Sequence, residues 1–294
     1  MRFNHVASIF VVFAAIQLLA QDRSVQGPNA EPGIGDLDEA VSIKLFAASE
    51  EDLNRVVSLC EQSLRKGLNE SNTQFAKQLA SSTLFQHAEA MCRMLLSDDA
   101  PRDPRAVVLV QRALPKLEKA VQFNDRFGAA HYLIARLYAL PGGDEEKAND
   151  ALTKAILFAG DDGQLLSKAL VLRGDKETDS EKKLADYSRA IQVDPTNHTA
   201  YRHRGMHFLE AGEHEKAVSD FEKMIEDGGD NLTAHQALVE VYTNLKQYDK
   251  ALQHLDKAIE TNSDASMNYT LRSRIHVLQG KIPEAVGDLD RAIR

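Results

Sequence analysis

Two imidazoles four residues apart are the first groups in this 294-residue chain whose spacing suits chemistry. His203-Arg204-Gly205-Met206-His207 would put both rings on one face of a helix, a spacing that can hold a metal ion. The helical zinc-protease motif needs a Glu directly after its first His, and Arg204 fills that slot. The pair reads as helix surface, and no metal is expected. Cys60 and Cys92 are the two cysteines, and neither belongs to a Cys-x-x-Cys pair. An oxidising compartment would allow a disulfide between them. The helical pattern around each favours a small buried thiol instead. The sequence leaves both readings open. Asp98-Asp99 and Asp161-Asp162 are paired acids in loops or caps. Carboxylates share acid and base work only where their surroundings push their pKa values apart, and exposed pairs lack that. No Gly-x-Ser-x-Gly elbow, phosphate-binding Gly-Lys-Thr loop or calcium loop occurs. Gly33-x-Gly35 does not continue into a dinucleotide motif. The expectation is a protein that is not an enzyme, with no cofactor and no small-molecule substrate. Asn197-His198-Thr199, Asn231-Leu232-Thr233 and Asn268-Tyr269-Thr270 match the glycosylation triplet, two of them because the surrounding pattern recurs.

The elements that carry these residues are helices. Leu, Ala, Glu and Lys are abundant, Trp is absent, and Gly (16) and Pro (8) are sparse, a mix that favours helix over strand. The formal charge is -9, and without residues 1–20, which hold Arg2 and no acid, it is -10. Phosphate neutralisation dominates nucleic-acid affinity, so an acidic chain without a basic stripe predicts no nucleic-acid partner. Residues 1–20 read as an export signal. Arg2 supplies the positive start, and Val6 to Ala20 is apolar apart from Ser8 and Gln17. Cleavage is expected near Ala20, and the localisation periplasmic or secreted. Residues 21–36 hold two Pro and three Gly with few apolar side chains, and read as a flexible linker.

A pattern then returns every 34 positions. Ala217, Ala251 and Ala285 keep that interval, as do Phe221, Leu255 and Leu289. Self-similarity at this period marks a stacked array of helix–turn–helix units. Helical pairs are expected at about 129–140 and 145–159, 163–173 and 180–193, 198–211 and 214–227, 232–245 and 248–261, and 266–279 and 282–294. Their turns sit at Gly212, Lys246 and Gly280, again 34 apart. Residues 128–294 form the regular array, and 37–127 a degenerate helical region. In that region helices are expected at 38–47 and 51–66, with Ser49 as the cap and Gly67 as the stop, then from Asn72 to Leu96 and from Arg105 to Phe123. Pro115 should kink or split the last of these.

On these residues the chain resembles the tetratricopeptide repeat family. Residues 198–229 fit its pattern through Tyr201, Gly205, Phe208, Gly212, Ala217 and Phe221. Residues 232–263 fit through Leu238, Tyr242, Tyr248, Ala251, Leu255 and Ala258, and residues 266–294 through Tyr269, Gly280, Ala285, Leu289 and Ala292. Residues 163–195 fit through Leu170, Tyr187, Ala190 and Pro195, with Lys183 where Ala is usual. Residues 129–160 fit through Tyr132, Ala148, Leu152 and Ala155. Arg204 and Arg272 stand where Leu is usual, and His276 where an aromatic is, which suggests looser or wetter helix contacts.

The resemblance implies an all-α fold, an α-α superhelix of about six or seven hairpins. It implies a concave groove, lined by first helices, that takes a peptide or helix of a partner protein. The groove positions fall on Lys168, Leu172, Arg202, Met206, Leu209, Gln236, Glu240, Thr243, Thr270, Arg274 and Val277. Chaperone-binding members use a clamp that includes Asn. His203, Ala237 and Leu271 stand at that position here, so the chaperone role is rejected. The reading is an exported, non-enzymatic protein–protein interaction scaffold. The alternative is the docking or regulatory N-terminal portion of a longer enzyme or secretion and assembly protein continuing past residue 294. Ala285, Val286, Leu289, Ala292 and Ile293 leave an apolar stripe on the last helix, which predicts self-association through it.

Overall fold

The structure, a computed structural model, describes residues 31–93, 106–228, 231–261 and 266–293. The expected signal, and the loop expected near residues 97–104, lie outside them. The described residues form fourteen α-helices and no strand. The chain divides into two compact units, one through His87 and one from Ala88.

The first unit opens with the hairpin of α1 (Ile34–Phe46) and α2 (Glu50–Lys66), and carries most of α3 (Glu70–Cys92). Helix α1 begins at Ile34, four residues before the expected start, because the chain at Gly33 is pinned to α2. Its N–H donates to the Gly67 carbonyl at 3.1 Å, and a Cβ there would stand 2.1 Å from the Ser63 oxygen. Helix α2 starts as expected. The Ser49 hydroxyl accepts from the Asp52 N–H, and the Asp52 carboxylate accepts from the Ser49 N–H. Cys60 is fully buried beside Val56 and Val57, which pushes its thiol up to about 12.

The second unit contains α4 (Ala106–Phe123) and five hairpins. These pair α5 (Gly128–Tyr138) with α6 (Glu145–Leu157), and α7 (Gly163–Lys176) with α8 (Ser180–Val193). They go on to pair α9 (His198–Glu210) with α10 (His214–Glu226), α11 (Asn231–Asn244) with α12 (Tyr248–Thr261), and α13 (Ser266–Leu278) with α14 (Ile282–Ile293). Each first helix packs on its own second helix and on the hairpin before it, and α5, α7, α9 and α11 also touch one another in series. That is the arrangement of a solenoid, in which each unit buries its apolar face only against neighbours. Helix α4 passes through Pro115 as one element rather than splitting. Cys92 is a free, buried thiol, as is Cys60, and burial pushes it up to about 11.

The 34-residue interval becomes a packing interval. Ala217 and Ala251 are 0% exposed and Ala285 2%, each in the second helix of its hairpin. A single apolar cluster runs from Tyr201 through Phe221, Leu238 and Leu255 to Ile275. The turns follow the same interval. Gly212 and Gly280 take φ 75 and 76°, and Lys246 takes φ 57° at the equivalent place, a left-handed backbone that costs a non-glycine residue about 1 kcal/mol.

Arg204 and Arg272 do not loosen the array. Each forks onto one aspartate of its partner helix. Arg204 donates through Nε and Nη2 to Asp220 at 2.8 and 2.7 Å, and Arg272 to Asp288 at 2.9 and 2.6 Å. Each also reaches back to the preceding hairpin, Arg204 to Ser188 at 3.3 Å and Arg272 to Asp256 at 2.6 Å. Arg173 forks onto Asp186 in the same way, one turn further along its helix. Bidentate pairing of this kind fixes geometry as well as charge. The expected wetter contacts are therefore ion-paired contacts, and Leu is dispensable at that position because the acid is supplied opposite.

Breaking one pair strands a charge. Asp220→Ala leaves Arg204, whose side chain keeps 21% of its exposure, without its main acceptor. A stability loss of roughly 2–3 kcal/mol is expected, below the range for fully buried pairs. Denaturant unfolding checks it. Arg204→Leu combined with Asp220→Leu should restore most of the loss, and an unchanged midpoint in Asp220→Ala would show the fork to be idle.

Candidate functional site

The first helices α7, α9, α11 and α13 carry the expected groove residues, and a buried polar chain fixes α9 in place. Ser167 on α7 donates to the Ala190 carbonyl on α8 at 2.8 Å. Asn197, which caps α9 by accepting from the Ala200 N–H, donates its side-chain amide to Ser167 at 2.8 Å. Close approach does the rest. A Cβ at Gly205 would stand 2.8 Å from the Phe221 ring, and one at Gly174 2.6 Å from the Tyr187 ring. Glycine at these two helical positions leaves the room that the aromatic rings occupy.

The result is an open cavity of about 430 Å³ on the exposed side of α9, with walls from α8 and α11. Arg202 and Met206 line it, as the resemblance implied for those positions. His203, His207 and Glu210 complete the α9 side, Lys183 and Tyr187 come from α8, and Thr233 and Ala237 from α11. Tyr187 meets the His203 ring edge-on at 5.7 Å and donates its hydroxyl to Asp175 at 2.8 Å. Burial, then the hydrogen bond to Asp175, push the Tyr187 phenol well above its ordinary range, so it stays a neutral donor. His203 turns its Nδ1 to the same Asp175 carboxylate, and His207 turns its Nε2 to Ser180 at 3.0 Å. The two imidazoles of the His-x-x-x-His sequence thus have separate partners. No group of three potential metal ligands occurs among the described residues.

Lys183 and Arg202 have no ion-pair partner among the described residues, and the same holds for Lys168 and Arg274 on the neighbouring first helices. Three of these four belong to the expected groove set. The cavity therefore offers two uncommitted cations and an exposed thioether at Met206.

The remaining expected residues divide. Lys168, Glu240, Thr270, Arg274 and Val277 are exposed on their helices, and Leu172 and Gln236 are half-buried. Gln236 donates to Asn268 at 3.0 Å, and Thr243 and Thr270 donate to carbonyls of their own helices. Leu209 is corrected. It is 7% exposed and sits in the core cluster beside Phe208, so it is not offered to a ligand. Lys183 was missed as a site residue although its signal was present, since it departs from the Ala usual at its repeat position. His203 and Ala237 also open on the cavity, at the position where chaperone-binding repeats carry Asn.

Comparison with known proteins bears on the fold. Residues 184–231 and 208–282 match sequence models of the tetratricopeptide repeat. No curated protein matches the chain. Among solved structures, the Pseudomonas aeruginosa protein pilF superposes with a TM-score of 0.58 at 14% identity, over 72% of this chain and 90% of that one. A tetratricopeptide repeat protein from Parabacteroides merdae ATCC 43184 gives 0.52 at 15% identity, over 88% and 92%. MamA from Desulfovibrio magneticus RS-1 gives 0.50 at 15% identity, over 58% and 94%. At these identities the likeness is one of fold. The tetratricopeptide repeat pattern is carried by residues 184–282, and the same hairpin arrangement extends over Gly128–Ile293.

Proposed function

We propose that this protein is an exported, non-enzymatic scaffold that binds an extended segment of a partner protein along its first helices. The observation that carries this reading is the cavity around α9. It is open, it is built from three consecutive hairpins, and it places Lys183 and Arg202 uncommitted beside an exposed Met206. In a chain of net charge -9, such a patch stands out against its own surface and steers an acidic segment towards it. The apolar start of the sequence, Val6 to Ala20 behind Arg2, supports export. No helix among the described residues is long and apolar enough to cross a membrane.

A second contact surface is supported by α14. Ile282, Val286, Leu289 and Ile293 share one stripe and are 54, 53, 43 and 85% exposed, whereas Phe221 and Leu255, equivalent to Leu289, are fully buried. Self-association through α14 is expected. Val286→Lys with Leu289→Lys should convert a sedimenting dimer or larger species to monomer, and a monomeric parent protein would remove the proposal.

The groove is tested by charge. Lys183→Glu with Arg202→Glu should weaken an isolated partner about tenfold or more and flatten the salt dependence of its association rate. Helix content by circular dichroism should stay unchanged. Intact affinity and salt dependence in this variant, with binding lost instead on substitution of exposed α10 and α12 residues, would overturn the reading.

A further inference from the structure

The hairpin of α11 and α12 replaces a motif that the hairpins on either side keep. In α9–α10 the motif is Tyr201, Arg204 and Asp220, and in α13–α14 it is Tyr269, Arg272 and Asp288. Each arginine lies over its tyrosine ring, at 5.9 and 5.4 Å, while forking onto its aspartate. At the same three places α11–α12 carries His235, Leu238 and His254. The three exchanges fit one another. Leu238 is fully buried and makes no ion pair, so an aspartate opposite it would be stranded, and His254 stands there instead.

His235 and His254 then bond to each other. Their Nδ1 atoms are 3.0 Å apart and their ring centroids 5.3 Å. Tyr242 stacks on His254 at 5.5 Å with 13° between the planes. An Nδ1–Nδ1 contact needs one ring as donor and the other as acceptor. The acceptor's Nδ1 must keep its lone pair. One proton can be taken up at the donor's free Nε2 and leave the bond in place. A second would set N–H against N–H.

The surroundings offer a second charge little help. On α12, Lys250 repels His254 and Lys257 repels His235, with Glu260 as the opposing acid. From α10, Glu222 is engaged with the Tyr242 hydroxyl. From α13, Arg272 is taken by Asp256 and Asp288. Two other histidines of the array meet carboxylates, His203 at Asp175 and His276 at 3.5 Å from Asp288, whereas His207 meets the Ser180 hydroxyl and His131 the Asp125 carbonyl. At His235–His254 a second proton meets another imidazolium where His203 and His276 have a carboxylate.

We propose that the His235–His254 pair makes α11–α12 an acid-opened hairpin, held between ion-paired hairpins that stay closed through the same pH range. Desolvation by burial is the first cause that lowers both imidazoles below the ordinary histidine value of about 6.5. The sign follows from linkage. With the folded values depressed, the unfolded hairpin binds more protons, so the stability is fully present above the ordinary value. It is lost as pH falls through the folded values. Thr233 and Ala237 on α11 form one wall of the cavity, so opening in acid would also release a segment held there. That last consequence rests on the groove reading, and the opening itself does not.

Amide hydrogen exchange on the full chain, corrected for intrinsic rates, reads the opening directly. Between pH 7.5 and 5, protection in α11 and α12 should fall several-fold more than in α9 and α10. The triple change His235→Tyr, Leu238→Arg and His254→Asp, which restores the neighbouring motif, should abolish that excess. His254→Gln should abolish it too, since the amide can still bond His235 and cannot be protonated. It is the readout if the triple variant does not fold. Equal losses in both hairpins of the parent protein would overturn the proposal, as would an excess that survives in the variants that fold.

Discussion

The burial of a small side chain at Ala217, Ala251 and Ala285, in the second helix of three successive hairpins, is the constraint on which the rest of the second unit depends. A side chain larger than alanine there would force the helices apart. With the helices held close, each hairpin presents one apolar face, and the next hairpin must cover it. The cluster from Tyr201 to Ile275 is that cover repeated. Everything functional follows from the repetition, because it sets first helices in series and aligns their exposed residues along one side.

Within that frame the hairpins solve one problem in two ways. The residue facing the second helix one turn after the aromatic position must be matched across the hairpin. Arg204 and Arg272 are matched by aspartates, and Leu238 is matched by the absence of one. The first solution brings orientation through a bidentate fork and links to the preceding hairpin. The second leaves a histidine pair half-buried without a counterion of its own. The array is uniform in backbone and uneven in electrostatics, and the unevenness falls on a helix that walls the cavity.

The hairpins of residues 128–293 were legible because burial at interval 34 writes directly into residue type. Ala251 had to be small and Leu255 apolar where they are, and the turns had to reverse at Gly212 and Gly280. The start of α1 was less legible, since Gly33 and Gly35 look like linker. What holds Gly33 is a contact with Ser63, thirty residues away, that leaves no local pattern. Arg204 looked like a defect because its partner lies sixteen residues on, across the turn. Of the cavity, Arg202 and Met206 were legible through repeat position. Tyr187 was not, and the departure at Lys183 did not point to a site, because both reach it from a second helix, which a position-by-position reading assigns to the outer layer.

The central claim is that partner contact is made at the cavity on α9. Photocrosslinking from single sites tests it most directly. A photoreactive residue is placed at position 206 in place of Met206, and in a separate protein at position 253 on α12 in place of the exposed Gln253, each in cells making the full chain. The account predicts discrete, higher-mass adducts from position 206 and none from position 253. Adducts from position 253 alone would contradict it.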